Sequence, residues 1–289
     1  MEEKRNLLLL QSSPHVTRNL LKKMIRQDPS LATYNQIPPE RWYDQLNIPL
    51  ERAQKIRNHV ALYSVQKSLD EALERFHAII FSDDSYPETL KMIPDPPLAF
   101  YASGDLSLLG HKKLISVIGT RNPSSYALPA MKKIFLPLVK QDYCFVSGMA
   151  MGVDQFAHKL AVHNNGRTIA VLGSGFEHVY PKNDLSLYSK MASEHLVISE
   201  HAPHVVPRKF HFPERNRLIS GLSEATIVVE ARMKSGTMIT VDQALEQGKE
   251  VYAFPGPVGS ETSEGCHAII DQGAKIVHTH HDIQIGDKR

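Results

Sequence analysis

Glycine gathers in five short stretches of this 289-residue chain, each following an apolar run of strand length: Gly119-Thr120-Arg121, Ser147-Gly148-Met149-Ala150-Met151-Gly152, Gly173-Ser174-Gly175, Ser235-Gly236-Thr237 and Pro255-Gly256-Pro257-Val258-Gly259-Ser260. Glycine allows tight turns and lets backbone amides approach an anion, and a helix start adds free N–H groups and a favourable dipole. Glycine also ends strands for steric reasons alone, so one such loop by itself reads either way. Basic residues follow the same pattern: Arg121, Lys182 after Tyr180-Pro181, Arg208 and Lys209, Arg215 and Arg217, then Arg232 and Lys234. A mononucleotide needs one or two phosphate loops, whereas a row of anion sites suits a backbone with several phosphates in succession. Solvated surface is the ordinary fate of Lys and Arg, and Lys209 and Lys234 fit that reading best. Arg121 and Lys182 sit in short loops beside glycine or proline and are the stronger phosphate candidates. Arg215 and Arg217 flank Asn216 and suit either a phosphate contact or a clamp between neighbouring loops.

Other residue constellations point less clearly to chemistry. Tyr126, Phe176, Tyr180, Phe210 and Phe212 suit base stacking or loop anchoring, and Phe210 and Phe212 would face opposite ways in an extended segment. Asp154 and His158 stand at i, i+4 spacing, where a general-base dyad is possible and a capping Asp beside a satisfied His is the plainer reading. His278, His280, His281 and Asp282 have metal-binding types, but their position near the C-terminus favours a disordered, solvated tail, so no metal and no cofactor is expected. The chain lacks a Walker loop, an HExxH and a nucleophile elbow.

The elements that position these residues follow from periodicity. Leu20, Leu21, Met24 and Ile25 recur at helical spacing after Thr17, Pro38-Pro39-Glu40-Arg41-Trp42 reads as a second helix start, and Pro49 opens a third through Ala53, Ile56 and Val60. Residues 1–76 are therefore an expected small helical domain. A strand-poor connecting segment follows at about 82–105, with short strands expected near Ala78–Phe81 and Leu98–Tyr101. From Leu114 onward apolar runs alternate with helical stretches: Leu114–Ile118, Cys144–Val146, Thr168–Leu172, Leu196–Ile198, Ala225–Val229, Glu250–Phe254 and Ala274–Val277. Continuous apolar strands between helices mean a mostly parallel sheet covered on both faces, so residues 77–289 are expected to form a doubly wound α/β domain whose ligands bind beyond the carboxyl ends of the strands.

Composition narrows the function. The chain is 42% hydrophobic and 22% charged, ordinary for a globular protein, and its formal charge of +2 leaves no polyanion-binding tail, so a nucleic-acid site must be a local basic groove. Cys144 and Cys266 lack CxxC spacing, which argues against a zinc site and a disulfide scaffold and for a reducing, cytoplasmic setting. The run Leu7–Leu10 is too short for a signal peptide core, and no membrane-spanning stretch is present.

From Ile118 to Val277 the chain resembles the DNA-processing protein A family (DprA, also called Smf) of bacterial natural transformation. The matching segments are Ile118-Gly119-Thr120-Arg121, Ser147 through Asp154 with Ala157-His158, Thr168 through Gly173, Tyr180-Pro181, Ser199-Glu200, Phe212 through Arg217, Ser235 through Thr240, Phe254-Pro255-Gly256 and Gly273-Ala274. The resemblance implies an extended Rossmann-like domain that binds single-stranded DNA without sequence preference. It also implies homodimerisation and loading of the recombinase RecA in the presence of single-strand DNA-binding protein. It assigns DNA contacts to Arg121 and Lys182, and a dimer surface to Leu245, His267, Ile270 and Ile276. The N-terminal helices are similar to the sterile-alpha-motif-like domain of many members, and the winged helix that many relatives carry at the C-terminus is expected to be absent. With the loop reading, the expected DNA-binding set is Gly119, Thr120, Arg121, Ser147, Gly148, Gly173, Gly175, Lys182, Arg215, Arg217, Ser235, Gly236 and Thr237.

Two enzymatic readings compete. Nucleotide phosphoribohydrolases of the related fold use a Pro-Gly-Gly-x-Gly-Thr-x-x-Glu segment. Here Lys234-Ser235-Gly236-Thr237-Met238-Ile239-Thr240 keeps Gly-Thr, lacks the glycine pair and has Thr240 where the carboxylate would stand. A dinucleotide oxidoreductase needs two further glycines, which Gly119-Thr120-Arg121-Asn122-Pro123-Ser124 does not supply. The expectation is a binder rather than an enzyme.

Overall fold

The computed structural model describes residues 2–285 and divides into two compact units, the first running to Phe81 and including Leu98–Phe100, the second taking Ser82–Pro97 and the chain from Tyr101 on. Residues 286–289, the end of the expected 77–289 domain, lie outside the described residues.

The first unit is helical up to Arg75. Thr17 caps the helix Arg18–Gln27 by accepting the Leu20 N–H at 3.3 Å, and Leu20, Leu21 and Met24 face inward while Lys23 and Arg26 stay in water. Pro49 precedes the helix Leu50–Ala61, which buries Ala53, Ile56 and Val60. Leu7–Leu10 lie buried in the helix Glu2–Ser12. Trp42 is 1% exposed and meets Tyr34 edge-on, with ring centroids 5.5 Å apart.

The sheet has the order β1-β2-β6-β5-β4-β3-β7-β8-β9, with strands β1 His77–Ile80, β2 Ala99–Gly104, β3 Leu114–Ile118, β4 Cys144–Ser147, β5 Arg167–Leu172, β6 Leu196–Ser199, β7 Ala225–Val228, β8 Glu250–Ala253 and β9 Lys275–Ile276. From β3 to β9 all pairings are parallel, and β2 joins β6 antiparallel. This is the α/β, mostly parallel, Rossmann-like sheet that the apolar runs predict. All five residues of β3 are buried, as a central strand covered on both faces requires. On one face Ile115 and Val117 pack with Ala127, Met131 and Phe135 of the helix Ala127–Lys140 and with Val153 and Ala157 of the helix Val153–His163. The helix His211–Leu222 packs against β3, β4 and β5.

From β3 the chain steps to β4, β5 and β6 on one side, then returns to β7 on the other. That reversal separates the loops after β3 and β7 and opens a crevice at the carboxyl ends of these strands, where doubly wound sheets bind ligands.

Two local expectations give way. Phe210 and Phe212 do not lie on an extended segment: Phe210 is the N-cap, in right-handed helical conformation, of the 211–222 helix that carries Phe212. The 278–285 segment is not a solvated tail. Ile283 is 3% exposed within the core, its carbonyl accepts the Tyr143 hydroxyl at 3.3 Å, and Asp282 Oδ2 accepts the His278 and Thr279 amides at 2.7 Å each. With Asp282 engaged by backbone, no group of metal-binding side chains assembles among the described residues, and none of the described helices is long and apolar enough to cross a membrane.

Candidate nucleic-acid interface

A cleft of about 650 Å³ opens at this reversal, lined by the loops after β3 and β7, by Ala150 and Asp154, and by the start of the 211–222 helix. Its wall carries a row of flat groups. The Arg121 guanidinium stands 5.9 Å from the Phe212 ring centre, and Phe212 lies 5.5 Å from Tyr180 at an interplanar angle of 55°. Arg121 is exposed, and Lys209 and Arg232 also line the cleft, Arg232 paired with Glu261 at 3.3 Å.

The loops interlock before they offer anything to a ligand. Gly152 has φ +81°, and a Cβ there would stand 2.5 Å from the Thr120 carbonyl oxygen and 2.7 Å from that of Arg121, so only glycine lets the loop after β4 lie on the loop after β3. The Val153 amide donates to the Thr120 carbonyl at 3.2 Å. A Cβ on Gly148 would come within 2.5 Å of the Arg215 guanidinium. Gly119 abuts Val153, Gly173 the Phe212 ring, and Gly175 the Ala202 and Pro203 carbonyls.

Most amides expected to cradle phosphate are engaged within the protein. Asp154 Oδ2 accepts Gly148 N–H at 3.1 Å and Ala150 N–H at 3.3 Å, Thr120 N–H donates to the Glu230 carbonyl at 2.8 Å, and Gly175 N–H donates to the Val205 carbonyl at 2.8 Å. Ser147 is fully buried and its hydroxyl donates to the Val117 carbonyl at 2.6 Å. Ser147, Gly148, Gly173 and Gly175 are thus tightly packed positions, with the Gly148 and Gly175 amides and the Ser147 hydroxyl already bonded within the protein.

The start of the helix Gly236–Glu246 is different. An α-helix leaves its first N–H groups without intrahelical partners, and here the N-cap Ser235 supplies no side-chain cap. The Ser235 hydroxyl oxygen is buried without a hydrogen-bond partner, and Ser235, Gly236 and the 9%-exposed Thr237 all line the cleft. Helix dipole and free donors give this end of the cleft the electrostatic character that favours an anion.

Arg215 and Arg217 are both buried. Arg215 donates to the carbonyls of Gly148, at 2.6 Å, and Val171; burial pulls its pKa down to about 10, against the opposing charge of Asp154. Burial likewise pushes the Asp154 carboxyl up, with Arg215 counteracting. Arg217 Nη2 meets both Glu200 oxygens, at 2.7 and 2.6 Å, and Asp95 stands 3.6 Å from its Nε. Of the two readings open for this pair, these contacts favour the clamp: Arg215 Nη1 is held by two carbonyls and Arg217 Nη2 by the Glu200 carboxylate, while Arg217 Nε and Nη1 are buried without a hydrogen-bond partner.

Lys182 stands exposed beyond Tyr180-Pro181, on a turn fixed from beneath. Gln155 and Asn183 exchange amide hydrogen bonds at 3.1 and 3.0 Å, and Asp184 pairs with Lys159 at 2.7 Å while capping the helix Leu185–Glu194 through Leu187 N–H. The hydrogen bond from Lys159 leads the lowering of the Asp184 pKa. Asp154 and His158 do not form a dyad: His158 Nδ1 lies 2.7 Å from the Thr168 hydroxyl. The expected dimer residues lie toward the β9 edge, with Leu245 56% and Ile276 38% exposed and His267 and Ile270 half-buried. Lys209, read as plain surface, lines the cleft, and Glu230, buried just past β7, has as its only sequence signal an acidic residue closing an apolar strand.

Residues 77–286 match the family model of DNA recombination-mediator protein A. The DNA processing protein DprA of Bacillus subtilis is 38% identical over 268 residues, which cover 92% of this chain and 89% of that protein. DprA of Streptococcus pneumoniae is 40% identical over 215 residues, 74% and 76% of the two chains. The X-ray structure of Streptococcus pneumoniae DprA superposes with a TM-score of 0.86 at 32% identity, covering 96% of both chains. A structure of Helicobacter pylori DNA processing protein A, described for its single-stranded DNA binding mode, superposes with a TM-score of 0.64 at 26% identity over 72% of this chain and 94% of that one. With model, relatives and fold in agreement, the chain belongs to the DNA recombination-mediator protein A family, DprA/Smf.

Proposed function

We propose that the cleft binds single-stranded DNA through its phosphate backbone, without sequence preference and without making or breaking bonds. The observation that carries this is the exposed Arg121 set on the Phe212–Tyr180 aromatic row and facing the uncapped helix start at Ser235-Gly236-Thr237. Cations and helix amides take phosphates, and aromatic faces accept any base. Gly119 and Thr120 carry Arg121 into place, and Lys182 extends the track past Tyr180. The DNA contacts of the proposal are therefore Arg121, Lys182, Ser235, Gly236 and Thr237, with Lys209 added.

Hydrolysis lacks support in the same cleft. Asp154 is the one carboxylate among the described lining residues, and it holds the Gly148 and Ala150 amides. Thr240, where a phosphoribohydrolase would carry its acid, turns its hydroxyl to the Gly236 carbonyl at 3.4 Å.

Family membership supports the wider role: a recombination mediator that loads RecA onto incoming strands in the presence of single-strand DNA-binding protein, acting as a homodimer through Leu245, His267, Ile270 and Ile276. Two free, buried cysteines suit the reducing cytoplasm. Fluorescence anisotropy with single-stranded and duplex oligonucleotides over a salt series tests the binding step. Tight, salt-sensitive preference for single strands supports it; no binding at low salt overturns it and turns the search to nucleoside monophosphate hydrolysis.

A further inference from the structure

Glu230 lies just past β7 and is fully buried. Its carboxylate accepts the Ser124 N–H at 2.8 Å, the Ser124 hydroxyl, and the Thr262 hydroxyl at 3.0 Å. Its backbone carbonyl accepts the Thr120 N–H at 2.8 Å. One residue therefore grips the loop that carries Arg121 at both ends, Thr120 by main chain and Ser124 by side chain. The neighbouring Ala231 ties the same strand end to the helix Glu261–Asp271, its N–H donating to Thr262 O at 2.7 Å and its carbonyl accepting Gly265 N–H at 2.8 Å. A buried carboxylate is costly to the fold unless its oxygens are filled by donors, and here the donors come from the loop that presents the exposed cation and from Thr262. An apolar residue would close this strand end without that cost, but it would leave Ser124 and the turn after Arg121 unheld.

We propose that Glu230 is a positioning residue: it fixes the 120–124 loop so that the Arg121 guanidinium is presented to a phosphate of the bound strand. The proposal rests on reading the cleft as a single-stranded DNA site. The same buried pairing predicts that Glu230 touches no DNA itself, so its effect must run through Arg121.

The test is the Glu230→Gln variant of the whole chain, with salt-dependent fluorescence anisotropy on end-labelled single-stranded oligonucleotides of several sequences. Glutamine keeps the size but sets an NH₂ group against the donors of Ser124 or Thr262. Affinity is expected to fall about tenfold at low salt, and the slope of log K against log salt to shrink by about 0.7, the value of one lost single-strand phosphate contact. Glu230→Gln combined with Arg121→Ala should bind no more weakly than Arg121→Ala alone, while Glu230→Gln combined with Lys182→Ala should lose both effects in full. A general loosening of the fold would not produce that selective non-additivity. An unchanged slope in folded Glu230→Gln, or full additivity with Arg121→Ala, overturns the proposal and leaves the DNA reading standing. Failure of the wild type to bind any single strand overturns the DNA reading and the proposal with it. Should Glu230→Gln fail to fold, Ser124→Ala removes the hydroxyl partner alone and must reproduce the reduced slope and the non-additivity; an unchanged slope there overturns the proposal equally.

Discussion

Arg121 and Arg217 carry the same side chain to opposite ends. Arg121 is exposed over an aromatic face, whereas Arg217 is held by Glu200 and Asp95. Their substitutions should separate cleanly. Arg121→Ala, and independently Lys182→Ala, should weaken single-strand binding alike for all sequences and reduce the salt slope by about 0.7 each, with folding unchanged; equal loss at every salt concentration would contradict a phosphate contact. Arg217→Ala should leave the salt slope of the folded protein intact and lower stability by about 3 kcal/mol, because it removes a buried cation from the Glu200 carboxylate, which is 14% exposed. Urea unfolding reads that loss. Sequence reasoning singled out Arg121 and Lys182 because loop placement beside glycine or proline is a local signal, and the fold leaves both exposed. It left Arg217 open because its fate depends on acids at positions 95 and 200, which only the fold brings near. The glycine loops were legible as loops, but which amides stay free depends on Asp154 and Glu230 turning back on them.

At the scale of elements, the parallel strands were readable to within a residue or so because buried strands are continuous apolar runs, and β3 is buried throughout. The 211–222 helix was less legible: Phe-His-Phe-Pro alternates as a strand would, and only the proline near a helix start and the apolar residues beyond it favour the helix found. Residues 278–285 were read as a tail because polar histidines hide the anchors, the buried Ile283 and the partly buried Ile285. In the helical unit the turn after the Arg18–Gln27 helix depends on Asp28, which accepts Ser30 N–H at 3.0 Å, the Ser30 hydroxyl at 2.6 Å and Thr33 N–H at 2.8 Å. Desolvation alone would raise its pKa, but the hydrogen bonds from Ser30 and Thr33 together hold it at about 2, below the ordinary 3.8. A depressed carboxylate pKa contributes stability that is present above pH 3.8 and is lost as pH falls through about 2. Asp28→Ala should therefore destabilise this unit by about 1 kcal/mol near neutrality, the size of a lost capping carboxylate, and by little at pH 2. Trp42, the chain's one tryptophan and buried in this unit, reports the transition by fluorescence; a difference that persists undiminished at pH 2 would exclude the ionised turn as its cause.

Across the whole molecule, a net charge of only +2 is compatible with polyanion binding because the sheet reversal collects cations at one crevice. The interior behind that crevice has its own acid sensitivity. His158 is fully buried, and burial pushes its pKa down to about 3. Because the Thr168 hydroxyl donates to the Phe145 carbonyl at 2.8 Å, the 2.7 Å contact to His158 Nδ1 makes that nitrogen the donor, and Nε2 is left a bare buried acceptor. The folded protein thus holds His158 neutral, while the unfolded chain protonates it near pH 6.5. The sign follows: a depressed histidine pKa contributes stability above pH 6.5 that is lost as pH falls toward 3, at about 1.4 kcal/mol per pH unit for one proton. His195, also lowered by burial, adds to the same trend. His158→Gln, whose amide can still donate to Thr168, should make the loss of stability between pH 6 and 4.5 shallower by about one proton. Urea midpoints across that range, followed by far-UV circular dichroism, check it. An unchanged pH slope in a folded His158→Gln protein would mean that the acid sensitivity of the fold resides in other groups.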